Sequence, residues 1–213
     1  MSAELDEALH IAKIALAFGR VERITFHEDG KRPETDTDHT VMLGLLACQL
    51  AEKLNTRTFA GMDVSLPVKL NIGLVAQFAL VHDLVEVYSG DTQTLTIDAA
   101  GRASKKEREA AARERLEAEL GDCWLTDRLR EYEAQDTPEA RFVRVLDKVL
   151  PKLTHILNGC AAAKTLTDRD GFEAAHDAQA ASIEAEYSDV PFEVRVLLQE
   201  SMRTSEQAWE GKS

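Results

Sequence analysis

The stretch Leu80-Val-His-Asp-Leu-Val-Glu-Val-Tyr-Ser-Gly-Asp-Thr92 puts an imidazole and two carboxylates at the end of an almost wholly apolar run that begins at Ile72. Gln77 is the main polar exception in that run. A helix that is apolar on nearly every side is a core helix, so the spacing predicts a central helix from about residue 68 to 88, stopped by Ser89-Gly90-Asp91-Thr92. Ile72, Val75, Ala79, His82 and Glu86 fall at i, i+3, i+7, i+10 and i+14, along one stripe of it. Buried ionisable groups are costly unless they are paired or bind metal. His82, Asp83 and Glu86 therefore need a compensating partner.

Two other helices offer one. Thr137-Pro138 opens a helix over about 138–158, with Thr as N-cap and Pro at its first position. There Ala140, Val143, Asp147, Leu150 and Thr154 repeat the same stripe, which places Asp147 on an apolar face. Pro151 follows four residues later and has no N–H for the Asp147 carbonyl, so a kink is expected beside it. Neither Lys148 nor Lys152 is spaced to share the face of Asp147. Thr35-Asp-Thr-Asp38 has the spacing of a capping box and starts a helix running to about Leu54. His39 lies in its first turn, with Met42, Leu46 and Leu50 at +3, +7 and +11.

His39, His82, Asp83 and Asp147 together provide two imidazoles and two carboxylates. That set suits Mn²⁺, Fe²⁺, Co²⁺, Ni²⁺ or Zn²⁺ better than an all-oxygen ion such as Ca²⁺. It is not the two-histidine helix of zinc proteases, because position 86 is Glu. Glu86, one turn beyond His82, can hydrogen-bond a water at such a centre, and an apolar setting would raise its pKa towards proton transfer.

The remaining sequence bounds the class. The chain has 213 residues, 44% hydrophobic, with five prolines and few aromatics, which favours one all-α domain. Its net charge of −13 argues against binding long nucleic acid. Cys48, Cys123 and Cys160 form no Cys-x-x-Cys, and the N-terminus lacks a signal-peptide pattern, as expected of a reduced cytoplasmic protein. No apolar run is read as long enough to span a membrane. Residues 3–18 read as an amphipathic helix with Leu5, Leu9, Ala12 and Leu16 inward and Gly19 ending it. Residues 20–34 read as a basic loop, with Arg20, Arg23, Lys31 and Arg32 able to clamp an anion. Residues 55–67 read as a loop, 93–101 as irregular, 104–120 as an exposed charged helix, and 125–134, 169–187 and 192–209 as further helices. His10, His27, His155 and His176 are read as ordinary surface or core histidines.

The order His39, His82-Asp83, Asp147 resembles the HD-domain superfamily of metal-dependent phosphohydrolases. Arg20-x-x-Arg23, Arg32-Pro-Glu34, Asp38-His39, His82-Asp-x-x-Glu86, Gly90-Asp91 and Glu139-Ala-Arg-Phe narrow the likeness to the YfbR-like 5′-deoxynucleotidase branch, over about residues 14–160. The resemblance implies one all-α HD-domain bundle over 1–213, built around a single divalent metal, Mg²⁺ among the options, and paired as a homodimer. The motif-bearing core would be followed by C-terminal helices over about 169–210. It implies His39, His82, Asp83 and Asp147 as metal ligands, Glu86 and Asp91 as catalytic groups, and Arg23, with Arg20, as binders of the substrate phosphate. Ile24-Thr25-Phe26 stands where the branch often carries Trp. The implied reaction is hydrolysis of a deoxynucleoside 5′-monophosphate to deoxynucleoside and phosphate. Two alternatives are a deoxynucleoside triphosphate hydrolase releasing tripolyphosphate or pyrophosphate, and a nucleotide-binding regulator without activity.

Overall fold

A computed structural model describes residues 2–59, 62–63 and 69–211. The fold is helical apart from two small hairpins among the described residues. Helix α1 (Ala3–Phe18) leads into strands β1 (Glu22–Phe26) and β2 (Pro33–Thr35), then α2 (Asp36–Asn55). A short pair, β3 (Thr58–Phe59) and β4 (Met62–Asp63), precedes α3 (Ile72–Val81) and α4 (Glu86–Ser89). Then come α5 (Ala99–Leu120), α6 (Trp124–Ala134), α7 (Pro138–Asn158), α8 (Ala163–Leu166), α9 (Arg169–Glu186) and α10 (Phe192–Trp209).

Helices α2, α3 and α7 pack on one another, and α10 lies along α7. The core between them holds Leu43, Ala47, Val75, Phe78, Phe142, Val143 and Leu146, all fully buried. On α7 the stripe Ala140, Val143, Asp147, Leu150, Thr154 is buried throughout, and the helix continues through Pro151. The side chain of Thr137 caps α7 by accepting from Ala140 N, with Pro138 at its first position. At α2 the capping box is complete: Asp38 N donates to Thr35 Oγ1 at 3.2 Å and Thr35 N donates to Asp38 Oδ2 at 2.9 Å. That box fixes where α2 begins, and so where His39 points. Thr35→Ala should cost about 1 kcal/mol of stability, read as a lower midpoint in urea unfolding.

The central helix differs from its sequence reading. Residue 68 lies outside the described residues. The helix starts at Ile72, where the Asn71 side chain accepts from Leu74 N. It breaks after Val81, where Leu84 N donates to Val81 O and Glu86 N to Asp83 O, three residues back rather than four. Neighbours on a regular α-helix diverge by about 100°. The tight turn over 82–85 lets the adjacent His82 and Asp83 serve one site. The helix is also not buried all round, since Leu80 is 56% exposed. The stretch Ile72–Ser89 has a mean hydropathy of 1.3 over 18 residues, so by length and composition it passes as a membrane span, against the expectation that no run would. Here it carries His82, Asp83 and Glu86 within a helical core.

Three further readings need correction. On α1 the inward face is Ile14 and Phe18, while Leu5, Leu9 and Leu16 are exposed. Apolar residues lie on two faces of that helix, and periodicity alone cannot choose between them. The supposed basic loop is the β1–β2 hairpin, which pairs Glu22 with Thr35 and Phe26 with Pro33 around a bulge. Helix α5 begins at Ala99, capped by Asp98, so Gly101 lies in its first turn. In the stretch expected as a loop over 55–67, α2 runs to Asn55 and Thr58–Phe59 pairs with Met62–Asp63, while residues 60–61 and 64–67 lie outside the described residues.

Candidate metal centre

His39, His82, Asp83 and Asp147 come together where α2, the 82–85 turn and α7 meet. One ligand atom from each lies within 4.8 Å of all the others. His39 Nε2 is 3.0 Å from Asp147 Oδ1, and the two imidazole centroids are 5.3 Å apart. His82 Nδ1 lies 2.8 Å from the Ala79 carbonyl, so Nδ1 carries the proton it donates there. That leaves Nε2 with its lone pair, buried and without a hydrogen-bond partner. It is 3.0 Å from Asp83 Oδ2 and 3.8 Å from Asp147 Oδ1. An orphaned imidazole lone pair aimed among two carboxylates and a second imidazole is a fit for a divalent metal, with the carbonyl as the outer partner that fixes the tautomer.

Arg23 meets the same Asp83 oxygen that His82 Nε2 approaches. Its Nη1 donates to Asp83 Oδ2 at 2.7 Å and Asp36 Oδ1 at 2.9 Å, and reaches Glu86 Oε2 at 3.5 Å. Burial opposes the Arg23 charge, but Asp83 and Glu86 overcome it and hold its pKa above the ordinary value. Asp83 is likewise desolvated, yet His82 and Arg23 keep it ionised well below the usual range. Glu86 goes the other way: burial and the nearby Asp83 push it far above the carboxylate range. Asp36, fully buried, rises to about 6 for the same first reason. Asp147 is held well below its usual value against its own burial, by Lys148 and His39.

A cleft of about 540 Å³ opens over this cluster. Arg23, Asp83, Glu86, Asp91 and Asp147 line it. Asp91 accepts the Ile24 N–H at 3.0 Å, tying the loop after α4 to β1. Arg20 is exposed and does not line the cleft, nor do Lys31 and Arg32. Two groups that the sequence reading set aside, Lys105 and Lys148, do. Lys105, on the helix read as an exposed charged surface, points back to within 4.0 Å of Glu86 Oε1. Lys148 folds onto Asp147 at 2.7 Å, correcting the inference that its spacing keeps it away. A flexible four-carbon stem can cover that angle, and spacing counts only where side chains leave the helix. Asp36, hidden inside the capping box, completes a second carboxylate group with Asp83 and Glu86.

A family model described as HD domain matches residues 19–188. The chain belongs to the HD-domain family. Among curated relatives this HD protein is 27% identical over 154 residues to the 5′-deoxynucleotidase HDDC2 of Danio rerio, covering 68% of this chain and 66% of that one. It is 30% identical over 144 residues to the 5′-deoxynucleotidase HDDC2 of Xenopus laevis, covering 66% and 63%. The matched region thus spans just under two thirds of those relatives. Among solved structures, a predicted metal-dependent phosphohydrolase from Magnetospirillum magnetotacticum MS-1 superposes with a TM-score of 0.66 at 27% identity, covering 95% of this chain and 94% of that one. A conserved hypothetical protein from Pyrococcus furiosus, 20% identical with a TM-score of 0.54 over 93% and 99%, shares the fold.

Beyond the metal centre the cleft of this HD domain runs on to His155 and His176. Burial holds both imidazoles neutral, His155 down to about 3 with Lys152 adding to it, and His176 down to about 4. In the unfolded chain each returns to about 6.5. Between those values the unfolded chain binds more protons, so stability is whole above about pH 6.5 and falls as pH drops towards 4. Thermal melts should show that fall, with a shallower slope in His155→Leu. Equal slopes in both proteins would mean that other groups set the acid limb.

Proposed function

We propose that the protein is a metal-dependent phosphohydrolase that converts deoxynucleoside 5′-monophosphates to deoxynucleosides and phosphate. The observation that carries this reading is the buried His82 Nε2 among His39, Asp83 and Asp147, the two carboxylates of which line a cleft together with Arg23, Lys105 and Lys148. The names of the HDDC2 relatives support the substrate class. His39, His82, Asp83 and Asp147 would hold the ion. When bound, a divalent ion supplies Lewis acidity at the phosphoryl group and makes a nearby water more acidic.

The protein's own groups do the rest. Arg23 spends Nη1 on the three carboxylates and keeps its other guanidinium donors for a phosphate oxygen. Lys105 and Lys148 stand on the rim of the same cleft, where they steady the developing charge. Glu86, buried beside Arg23 and with its pKa raised, holds a proton that it can give to the leaving alcohol. Asp91 holds the Ile24 backbone and with it the strand that carries Arg23.

The test is a product assay. Metal-stripped protein reloaded with Mn²⁺, Co²⁺ or Mg²⁺ should release orthophosphate from deoxynucleoside monophosphates. Tripolyphosphate from deoxynucleoside triphosphates, with monophosphates untouched, would replace this reading. Arg20, Lys31 and Arg32, the cations expected to reach a longer phosphate chain, do not line the cleft, which supports the monophosphate reading.

A further inference from the structure

Two clusters of ligating atoms share one residue. His39, His82, Asp83 and Asp147 form the first, and Asp36, Asp83 and Glu86 form the second, each with its atoms within 4.8 Å of one another. Two-metal hydrolytic sites set their ions roughly 3.5–4 Å apart, and a carboxylate common to both clusters is placed to serve two ions. The second cluster is nevertheless filled by a side chain. Arg23 Nη1 lies 2.7 Å from Asp83 Oδ2, 2.9 Å from Asp36 Oδ1 and 3.5 Å from Glu86 Oε2. One nitrogen that reaches an oxygen of each of three acidic groups stands where an ion would.

The guanidinium is held there from several directions. Its strand is tied to the loop after α4 by Ile24 N, which donates to Asp91 Oδ2 at 3.0 Å, and to the start of α2 by Asp36 N, which donates to Val21 O at 3.1 Å. The Arg23 side chain is 11% exposed and that of Asp36 not at all. The second oxygen of Asp36, Oδ2, is buried and has no hydrogen-bond partner. Buried acceptors left bare are rare and costly. Nη1 has only two protons to share among three carboxylates. The cluster therefore offers more ligand oxygens than this donor can satisfy, and could take a higher charge than the one it holds.

A guanidinium stays charged at any working pH and is tethered to the chain. A free ion could enter only by displacing it, which would leave a buried arginine without its counter-charges. We infer that Arg23 occupies the place of a second cation, and that its side chain holds this centre to one metal ion. With Arg23 shortened, Asp36, Asp83 and Glu86 take a second divalent ion of the kind that accepts carboxylate oxygens, such as Mn²⁺. The number of ions is thus set by a residue outside the four ligand candidates. The inference rests on the metal centre of the reading above and is independent of its substrate.

Counting bound metal tests it without any need for turnover. Metal-stripped full-length protein, loaded with excess Mn²⁺ and passed through gel filtration, should retain one ion per chain by elemental analysis. Arg23→Ala should retain two, and its Mn²⁺ EPR spectrum should be that of a spin-coupled pair rather than of an isolated ion. Adding Asp36→Asn to Arg23→Ala removes a ligand of the second cluster only and should return the count to one. Removing the arginine leaves carboxylates facing one another, so the folding of Arg23→Ala is a second readout: its circular dichroism should be helical in excess Mn²⁺ even where it is not without the ion. Two ions on the parent overturn the inference and leave the metal centre in place. One ion on folded Arg23→Ala, two ions without spin coupling, or a variant still unfolded in excess Mn²⁺ overturns it too. No ion on the parent sinks the metal centre itself, and the inference with it.

Discussion

Asp83→Ala should leave the protein folded, empty of metal and inactive. Asp83 is the member of the cluster that touches both halves of the site: its Oδ2 is 3.0 Å from His82 Nε2 and accepts from Arg23 Nη1 at 2.7 Å. Removing it leaves three ligand candidates where four converge. Arg23 keeps Asp36 at 2.9 Å and Glu86 at 3.5 Å, so the guanidinium is not stranded and the hairpin that carries it has no reason to leave. A metal Lewis acid is worth several kcal/mol at the transition state, which at about 1.4 kcal/mol per decade means a loss of roughly 10³-fold. Metal content by elemental analysis and orthophosphate release should fall together while circular dichroism stays helical. A variant that loses metal but keeps its rate would remove the ion from the chemistry.

How far the sequence could foresee this site depends on which physical signal each residue leaves. His39, His82, Asp83 and Asp147 were legible because a polar group on an apolar helical stripe contradicts its surroundings, and three such contradictions meet at one point. The caps of α2 and α7 were legible for a related reason, since Thr35 with Asp38, and Thr137 with Pro138, are local chemistry that needs no tertiary contact. Lys105 was not legible. It lies among alternating charges on a helix that is mostly solvated, and only the way α5 packs beside α4 brings its ammonium to Glu86. Asp36 was masked by a capping box that accounted for its neighbours. The inward face of α1 was undecidable for another reason: Leu5, Leu9 and Leu16 form as good a stripe as Ile14 and Phe18, and the choice belongs to what packs against it. His155 and His176 carried no contradiction in sequence at all. Their interest comes from sharing a cleft wall, which sequence separation hides.

Glu86→Gln should separate proton transfer from metal binding. Glu86 is buried and within reach of two cations, Arg23 Nη1 at 3.5 Å and Lys105 Nζ at 4.0 Å. Two roles are open to a carboxylate so placed. As a counter-ion it would only hold Arg23 and Lys105 in position, and an amide of the same shape, its one oxygen turned to Arg23, would give up the longer contact to Lys105 and cost little in rate. As the group that moves a proton it cannot be replaced by an amide, and kcat should fall by about 10² to 10⁴. Burial and the nearby Asp83 push its pKa up, which is the environment a proton-transferring carboxylate needs and a fixed counter-ion does not. Because Glu86 is not one of the four converging ligand candidates, the variant should bind metal as the parent does, with KM for a monophosphate little altered. Metal retained with kcat lost assigns the proton to Glu86, whereas metal lost as in Asp83→Ala would make it a ligand. Metal and kcat both retained would reduce it to a counter-ion, and the proton-transferring group would have to be sought at Asp36, another buried carboxylate whose pKa burial raises and one that shares Arg23 with Glu86.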